Sequence, residues 1–217
     1  MRPPNDALME RLLFNNPIMY RFKYFMIQTV IWKWILSGVL RMKPSPMPDL
    51  SDLYQGKRIL VGACGPGDVS TGPALDAAGN VTAFDISQEF VDTCKINRPS
   101  WTVFCDDILK ISQSNDSFDI VVIYSALHHI PANAEKVLAE LARVSRDRIV
   151  IVEGLIPKRG VLRLALLCWY RVVDGGVHYY TREELTAIFD KLGLDVERTT
   201  AHSPIKHMVL FVLRKKK

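Results

Sequence analysis

Short apolar runs and amphipathic stretches take turns along this chain from residue 58 onward. "RILVG" (58–62), "VTAFD" (81–85), "WTVFC" (101–105), "FDIVVIY" (118–124) and "RIVIVEG" (148–154) are rich in β-branched and aromatic residues. Each is too short for a helix, so each is predicted to be a buried strand. "LDVERTT" (194–200) and "HMVLFVL" (207–213) add two more strands near the end. Between strands, "SQEFVDTCKIN" (87–97) and "PANAEKVLAELARV" (131–144) repeat apolar residues at helical spacing, the second opened by Pro131 at a first-turn position. "TREEL" pairs Thr181 with Glu184 as a capping box that opens a further helix. Strands alternating with helices predict an α/β fold, a largely parallel sheet covered on both faces.

Upstream of the first strand the pattern changes. "MKPSPMP" (42–48) carries three prolines and reads as a linker, since each removes a donor and disfavours helix before it. Ahead of it, residues 18–41 put Gln28 or Thr29, Lys33, Ser37 and Arg41 on one stripe, leaving a wide apolar face with Trp32 and Trp34. That is an amphipathic helix, too interrupted by polar residues for a membrane span of about 20 apolar residues. It serves either as a cover over the domain that follows or as a contact with a membrane surface. Two units are therefore expected: a basic helical arm with its linker over 1–48, and a catalytic domain over 49–217.

Composition narrows the partners. At 217 residues and 48% hydrophobic content the chain can bury one sizeable core. Residues 1–45 hold seven Arg or Lys against two Asp or Glu, an excess equal to the whole formal charge of +5. A neutral domain behind a basic arm is not a general nucleic-acid binder, whose cations would line the working face. The four cysteines, Cys64, Cys94, Cys105 and Cys168, lack paired metal-ligand spacing, and no cleavable signal pattern precedes them. A reducing, cytoplasmic setting is expected, with peripheral membrane contact through the arm as its one variation.

The loop "ACGPG" after the first strand would lie at the carboxyl edge of the sheet, where such folds bind ligands. A dinucleotide loop needs a third glycine where Ser70 stands, so that reading fails. Asp85 ends the second strand twenty residues after Gly65, the spacing at which an acid meets ribose hydroxyls. Asp106 and Asp107 follow the third strand. Three acids suit a ligand with a ribose, a base amino group and a positive charge, and suit a phosphate-rich ligand poorly. S-adenosyl-L-methionine has those features.

With these motifs in this order, the chain from about Gln55 to Leu213 resembles the class I S-adenosylmethionine-dependent methyltransferases. The likeness is to the small-molecule branch that includes quinone-biosynthesis and sugar O-methyltransferases. It implies a Rossmann-like sheet of seven strands in the order 3-2-1-4-5-7-6, the last antiparallel, with helices on both faces. "ILVGACGPG" is similar to the cofactor loop, bringing Gly62, Ala63, Cys64, Gly65 and Gly67 to the ligand. "FDIS" implies Asp85 on the ribose and Ile86 against adenine; "CDDI" implies an adenine turn of Asp106, Asp107 and Ile108. "FDIVVIYSALHHI" implies Tyr124 and Ser125 beside the cofactor and a catalytic loop holding His128 and His129.

The implied reaction is methyl transfer to a hydroxyl, less readily to nitrogen or carbon, of a hydrophobic small molecule, yielding S-adenosyl-L-homocysteine without a metal. Positioning does much of that work, but a hydroxyl also needs a base. The resemblance favours His128 as that base, with His129 positioning the loop or substrate and Glu153 orienting the imidazole. If the loop is extended, the two histidines diverge. Val61 stands where the family usually has an acid and Ala63 where it has a glycine. The methionine end would then rest on the carbonyls of residues 62 and 63 or on Ser125, with Gly62 offering room. Those departures also motivate an alternative, a protein on the same fold that binds the cofactor without transferring its methyl, as a regulatory subunit or by using the sulfonium charge. "VLRLALLCWYRVV" (161–173) is expected to belong to a helical cover over about 157–178, and His178, Tyr179 and Tyr180 to pack as a lid.

Overall fold

The computed structural model describes residues 48–67, 72–173, 178–202 and 207–216. The amphipathic arm, almost all of the proline-rich linker and Ser70 lie outside the described residues. Seven strands form one sheet: β1 (Ile59–Gly62), β2 (Val81–Asp85), β3 (Thr102–Cys105), β4 (Phe118–Tyr124), β5 (Ser145–Gly154), β6 (Leu194–His202) and β7 (Met208–Lys215). Their order is β3-β2-β1-β4-β5-β7-β6. Pairings from β3 through β5 are parallel, while β7 runs antiparallel to both of its neighbours. The expected topology holds in full.

Alternation along the strands divides the core into two layers, because successive side chains point to opposite faces of a sheet. Leu60, Phe84, Val121, Ile123, Ile149 and Phe211 face one way. Ile59, Val61, Ala83, Val122, Val150 and Leu210 face the other. Helices cover both, as parallel strands require. On the first face lie α4 (Ala134–Val144), with Val137, Leu138, Leu141 and Val144 buried, and α6 (Arg182–Lys191), with Leu185 and Phe189 buried. On the second lie α1 (Ser51–Tyr54), α2 (Gly72–Ala78) and α3 (Gln88–Asn97), through Tyr54, Leu75, Val91 and Cys94. The remaining described helix, α5 (Val161–Val173), leaves this layering and forms a small cluster of its own with Ile156, Leu166, Tyr170 and Tyr179.

Local chemistry sets where helices start. Ser87 caps α3 by accepting the Phe90 N–H, and Thr181 with Glu184 closes both halves of the capping box on α6. Pro131 opens a single 3-10 turn, Pro131–Asn133, and the α-helix follows from Ala134. No helix among the described residues is long and apolar enough to cross a membrane.

Candidate active site

The strands β1, β2, β4 and β5 end side by side, and the residues that follow them form the site. Past β1 the chain turns sharply: Ala63, Gly65 and Gly67 all have positive φ, at 51°, 52° and 84°. Alanine in the left-handed region costs on the order of 1 to 2 kcal/mol, which the surrounding bonds hold in place. Cys64 N–H donates to the Phe84 carbonyl, Asn97 Nδ2 to the Pro66 carbonyl and Arg98 Nε to the Gly67 carbonyl. The two glycines do different work. A Cβ on Gly67 would lie 3.0 Å from Cys94 Sγ, so that glycine lets α3 close on the loop. A Cβ on Gly65 would meet nothing within 4 Å, so that side of the loop is open to a ligand.

Asp85 ties loop and strand together. One oxygen accepts the Gly65 N–H at 2.9 Å and the other the Ser87 N–H at 3.0 Å. The side chain is buried, and burial pushes its pKa above the ordinary carboxylate value in spite of those bonds. Ile86, the next residue, is 72% exposed, a large apolar side chain standing in solvent beside a buried acid. Cys64 is buried, with its thiol pKa pushed up first by the Cys94 thiol against it and then by desolvation, so it is a packing residue and not a nucleophile.

One expectation about this loop changes. Gly62 offers no room to a ligand, because Phe84 fills it: a Cβ there would lie 3.2 Å from the Phe84 ring. Val61 is fully buried beside Cys64, Leu75 and Cys94, so the position that usually carries an acid is here part of the apolar core. In the adenine turn, Asp106 is committed to its own loop, one oxygen accepting from Asp107 N–H and the other from the N–H and hydroxyl of Ser112. Asp107 is exposed and accepts the Leu109 N–H, while Ile108 is buried in the core.

Tyr124, the last residue of β4, is half-buried, and beyond it Ser125 again has positive φ, 50°, with its N–H held by the Val152 carbonyl of β5 at 2.7 Å. The chain then forms a 3-10 turn, Leu127–His129, and is not extended. In that turn the two imidazoles meet, with ring centroids 4.2 Å apart. Glu153, fully buried at the end of β5, organises it: Oε2 accepts the Leu127 N–H at 3.0 Å, while Oε1 accepts the Gly154 N–H at 2.9 Å and contacts His128 Nδ1 at 2.6 Å. His128 is 1% exposed, whereas His129 is half-buried.

A row of rings continues from this pair. His128 stacks on Tyr179 at 5.0 Å, Tyr179 on Tyr170 of α5 at 4.2 Å, and Tyr170 meets His207 at 5.7 Å. Pattern reading missed this row, because its members lie on four separate segments. Gly154 makes it fit: a Cβ there would lie 2.8 Å from the Tyr170 hydroxyl oxygen. Tyr180 is buried nearby, and its hydroxyl has no hydrogen-bond partner among the described residues. Burial, followed by the charges of Glu153 and Glu184, pushes its pKa up to about 12. Unfolded tyrosine ionises near 10.0 while this phenol keeps its proton, so ionisation draws the chain toward the unfolded state as pH rises through that window. Tyr180→Phe is expected to raise stability by about 1 kcal/mol at neutral pH by removing a stranded hydroxyl. Urea titrations from neutral to alkaline pH should also show a smaller alkaline loss in the variant; equal curves would mean the hydroxyl is solvated.

Among the described residues no group of three or more His, Cys, Asp or Glu is placed to hold a metal ion. Residues 59–148 match the family model for a methyltransferase domain. No curated protein sequence matches the chain. Its fold is similar to that of magnesium protoporphyrin IX methyltransferase from Synechocystis with bound S-adenosylmethionine, with a TM-score of 0.66 at 17% identity over 100% of both chains. An S-adenosylmethionine-dependent methyltransferase from Mesorhizobium loti aligns with a TM-score of 0.60 at 17% identity, covering 78% of this chain and 94% of that one. The cyclase SpnF gives 0.60 at 15% identity, covering 77% and 80%. Residues 59–148 thus match a methyltransferase domain, and they lie within a sheet whose strand order gives the chain the fold of these solved structures.

Proposed function

We propose that this chain is an S-adenosyl-L-methionine-dependent methyltransferase that methylates a hydroxyl of a hydrophobic small molecule. The observation that carries the reading is the histidine pair at the ends of β4 and β5, His128 fixed by buried Glu153 and half-buried His129 lying against it. When bound, the cofactor supplies an electrophilic methyl on a sulfonium, whose charge disperses as the methyl leaves. The chain's own residues hold and orient it. Asp85 has lone pairs left after its two backbone bonds and accepts from the ribose hydroxyls. Exposed Ile86 covers the adenine, Ile108 backs it, and the turn of Asp106 and Asp107 meets its amino group. The open side of Gly65 admits the ligand close to the backbone. The carbonyls of Gly62 and Ala63, with Tyr124 and Ser125, receive the methionine end past Cys64 and Gly67.

At the acceptor, burial favours exchanging the roles that the resemblance implies. His128 is covered by Tyr179 and tied to Glu153, so it positions the turn, and His129 is the imidazole that a substrate can reach. His129 takes the hydroxyl proton as the oxygen–methyl bond forms and later releases it to solvent. The apolar cluster of Ile156, Leu166, Tyr170 and Tyr179 beside this turn favours a hydrophobic acceptor.

Calorimetry tests the cofactor assignment: Asp85→Ala should weaken binding by about 1 to 3 kcal/mol, the range for hydrogen bonds to a charged group and its loss. Unchanged affinity would take Asp85 out of the site. Since burial raises the Asp85 pKa above 3.8, its carboxylate is neutralised early as pH falls, and wild-type affinity should decline with it. Detection of S-adenosyl-L-homocysteine across a panel of apolar alcohols and phenols tests the acceptor. Binding without product for every hydroxyl, and product with amines, would move the reading to nitrogen.

A further inference from the structure

The helix α5 is apolar on two opposite sides. Leu166 and Tyr170 are buried in the cluster with Ile156 and Tyr179. On the other side Leu164, Ala165 and Cys168 lie three, four and seven residues after Val161, which places all of them on one face. Val161 is 83% exposed and Leu164 64%, and Ala165 and Cys168 are exposed as well. Leu162 widens the patch at 49%. An exposed apolar face opposite a buried one marks a surface that another body covers.

We propose that the outer face of α5 docks on an anionic lipid surface. Charge selects this occupant. Lys158 and Arg159 stand exposed at the start of the helix, whereas Arg163, three and seven residues before buried Leu166 and Tyr170, lies on the inner side and donates to the Pro157 carbonyl. Lys158 also meets Glu183 at 3.2 Å, but that pair is solvent-exposed and weak. An apolar face with two exposed cations at its leading end suits a helix lying in the headgroup layer, and each cation adds attraction to anionic lipid. The chain's own residues 1–45 carry an excess of five positive charges and would bring cation against cation, as would a second copy at the same face. An anionic membrane attracts both basic segments at once. This surface is independent of the methyl acceptor.

The test uses the full chain and vesicles of equal parts phosphatidylcholine and phosphatidylglycerol, with phosphatidylcholine alone beside them. Wild type should co-sediment with the mixed vesicles and less with the neutral ones, losing the difference in high salt. Val161→Glu with Leu164→Glu should bind at least about tenfold less, because two apolar side chains no longer leave water. Both positions are exposed, so cofactor affinity should stay as in wild type and report an intact fold. Failure of wild type to bind, or full binding by the double variant, overturns the proposal. A polarity-sensitive dye on Cys168, in a Cys105→Ser background where the other two cysteines are buried, supplies a second readout. Its emission should shift to the blue only when anionic vesicles are present. An unchanged spectrum on vesicle-bound protein would put the contact elsewhere, and a concentration-dependent shift without vesicles would make the occupant a second copy.

Discussion

Glu153→Ala is expected to lower the free energy of unfolding by about 3 to 5 kcal/mol, the cost of leaving several buried hydrogen-bonding groups unsatisfied at about 1 to 3 kcal/mol each. The carboxylate takes two backbone N–H groups and His128 Nδ1, and alanine supplies an acceptor for none of them. All of the stranded groups sit where water does not reach. Glu153→Gln keeps the shape and one acceptor oxygen, so it should fall between alanine and wild type. Urea titration measures both; the midpoint should drop with little change in slope. A cost under about 1 kcal/mol for alanine, no more than an ordinary net hydrogen bond, would mean that the turn after β4 holds its form without the acid.

His129→Ala should reduce turnover by about 100- to 10,000-fold, the range for general-base assistance, while leaving cofactor affinity nearly unchanged. A histidine base also gives the pH–turnover profile an acid limb, and the variant should lose it. His128→Ala should lower turnover too, but with a stability loss that His129→Ala does not share, because only His128 partners Glu153. The two histidines are thereby separable by experiment. If His128→Ala loses activity at unchanged stability and His129→Ala keeps it, the substrate reaches beneath Tyr179 and His128 is the base after all.

Strands were the legible part of this chain for a physical reason. A run such as Phe118–Tyr124, nearly continuous in apolar residues and flanked by polar ones, has few other ways to bury itself, and β4 has those bounds. The short helices α1 and α2 escaped because four and seven residues are too few to show a helical repeat. Around the site, the link between Gly65 and Asp85 could be anticipated from a twenty-residue spacing, and the two residues are joined by a hydrogen bond. The roles of the two histidines could not, because they depend on whether three residues after β4 extend or coil. Nor could the commitment of Asp106 to Ser112, which arises from a loop closing on itself. The ring stack from His129 to His207 was beyond pattern reading for another reason: its spacing exists only after the strands have paired.

Gly154 gives the cover two independent adjustments. The Tyr170 hydroxyl occupies the place of the missing methyl, so the height of α5 above the sheet is set by an atom that β5 does not have. Restoring that atom would act as a shim, lifting one end of the helix and tilting its whole outer face, while the residues lining its inner side stayed the same. Trimming Leu166 would do the reverse, deepening the space under the helix at constant height. Clearance and lining are thus controlled from different elements, one on the rigid sheet and one on the helix, and a redesign of acceptor size could vary them one at a time.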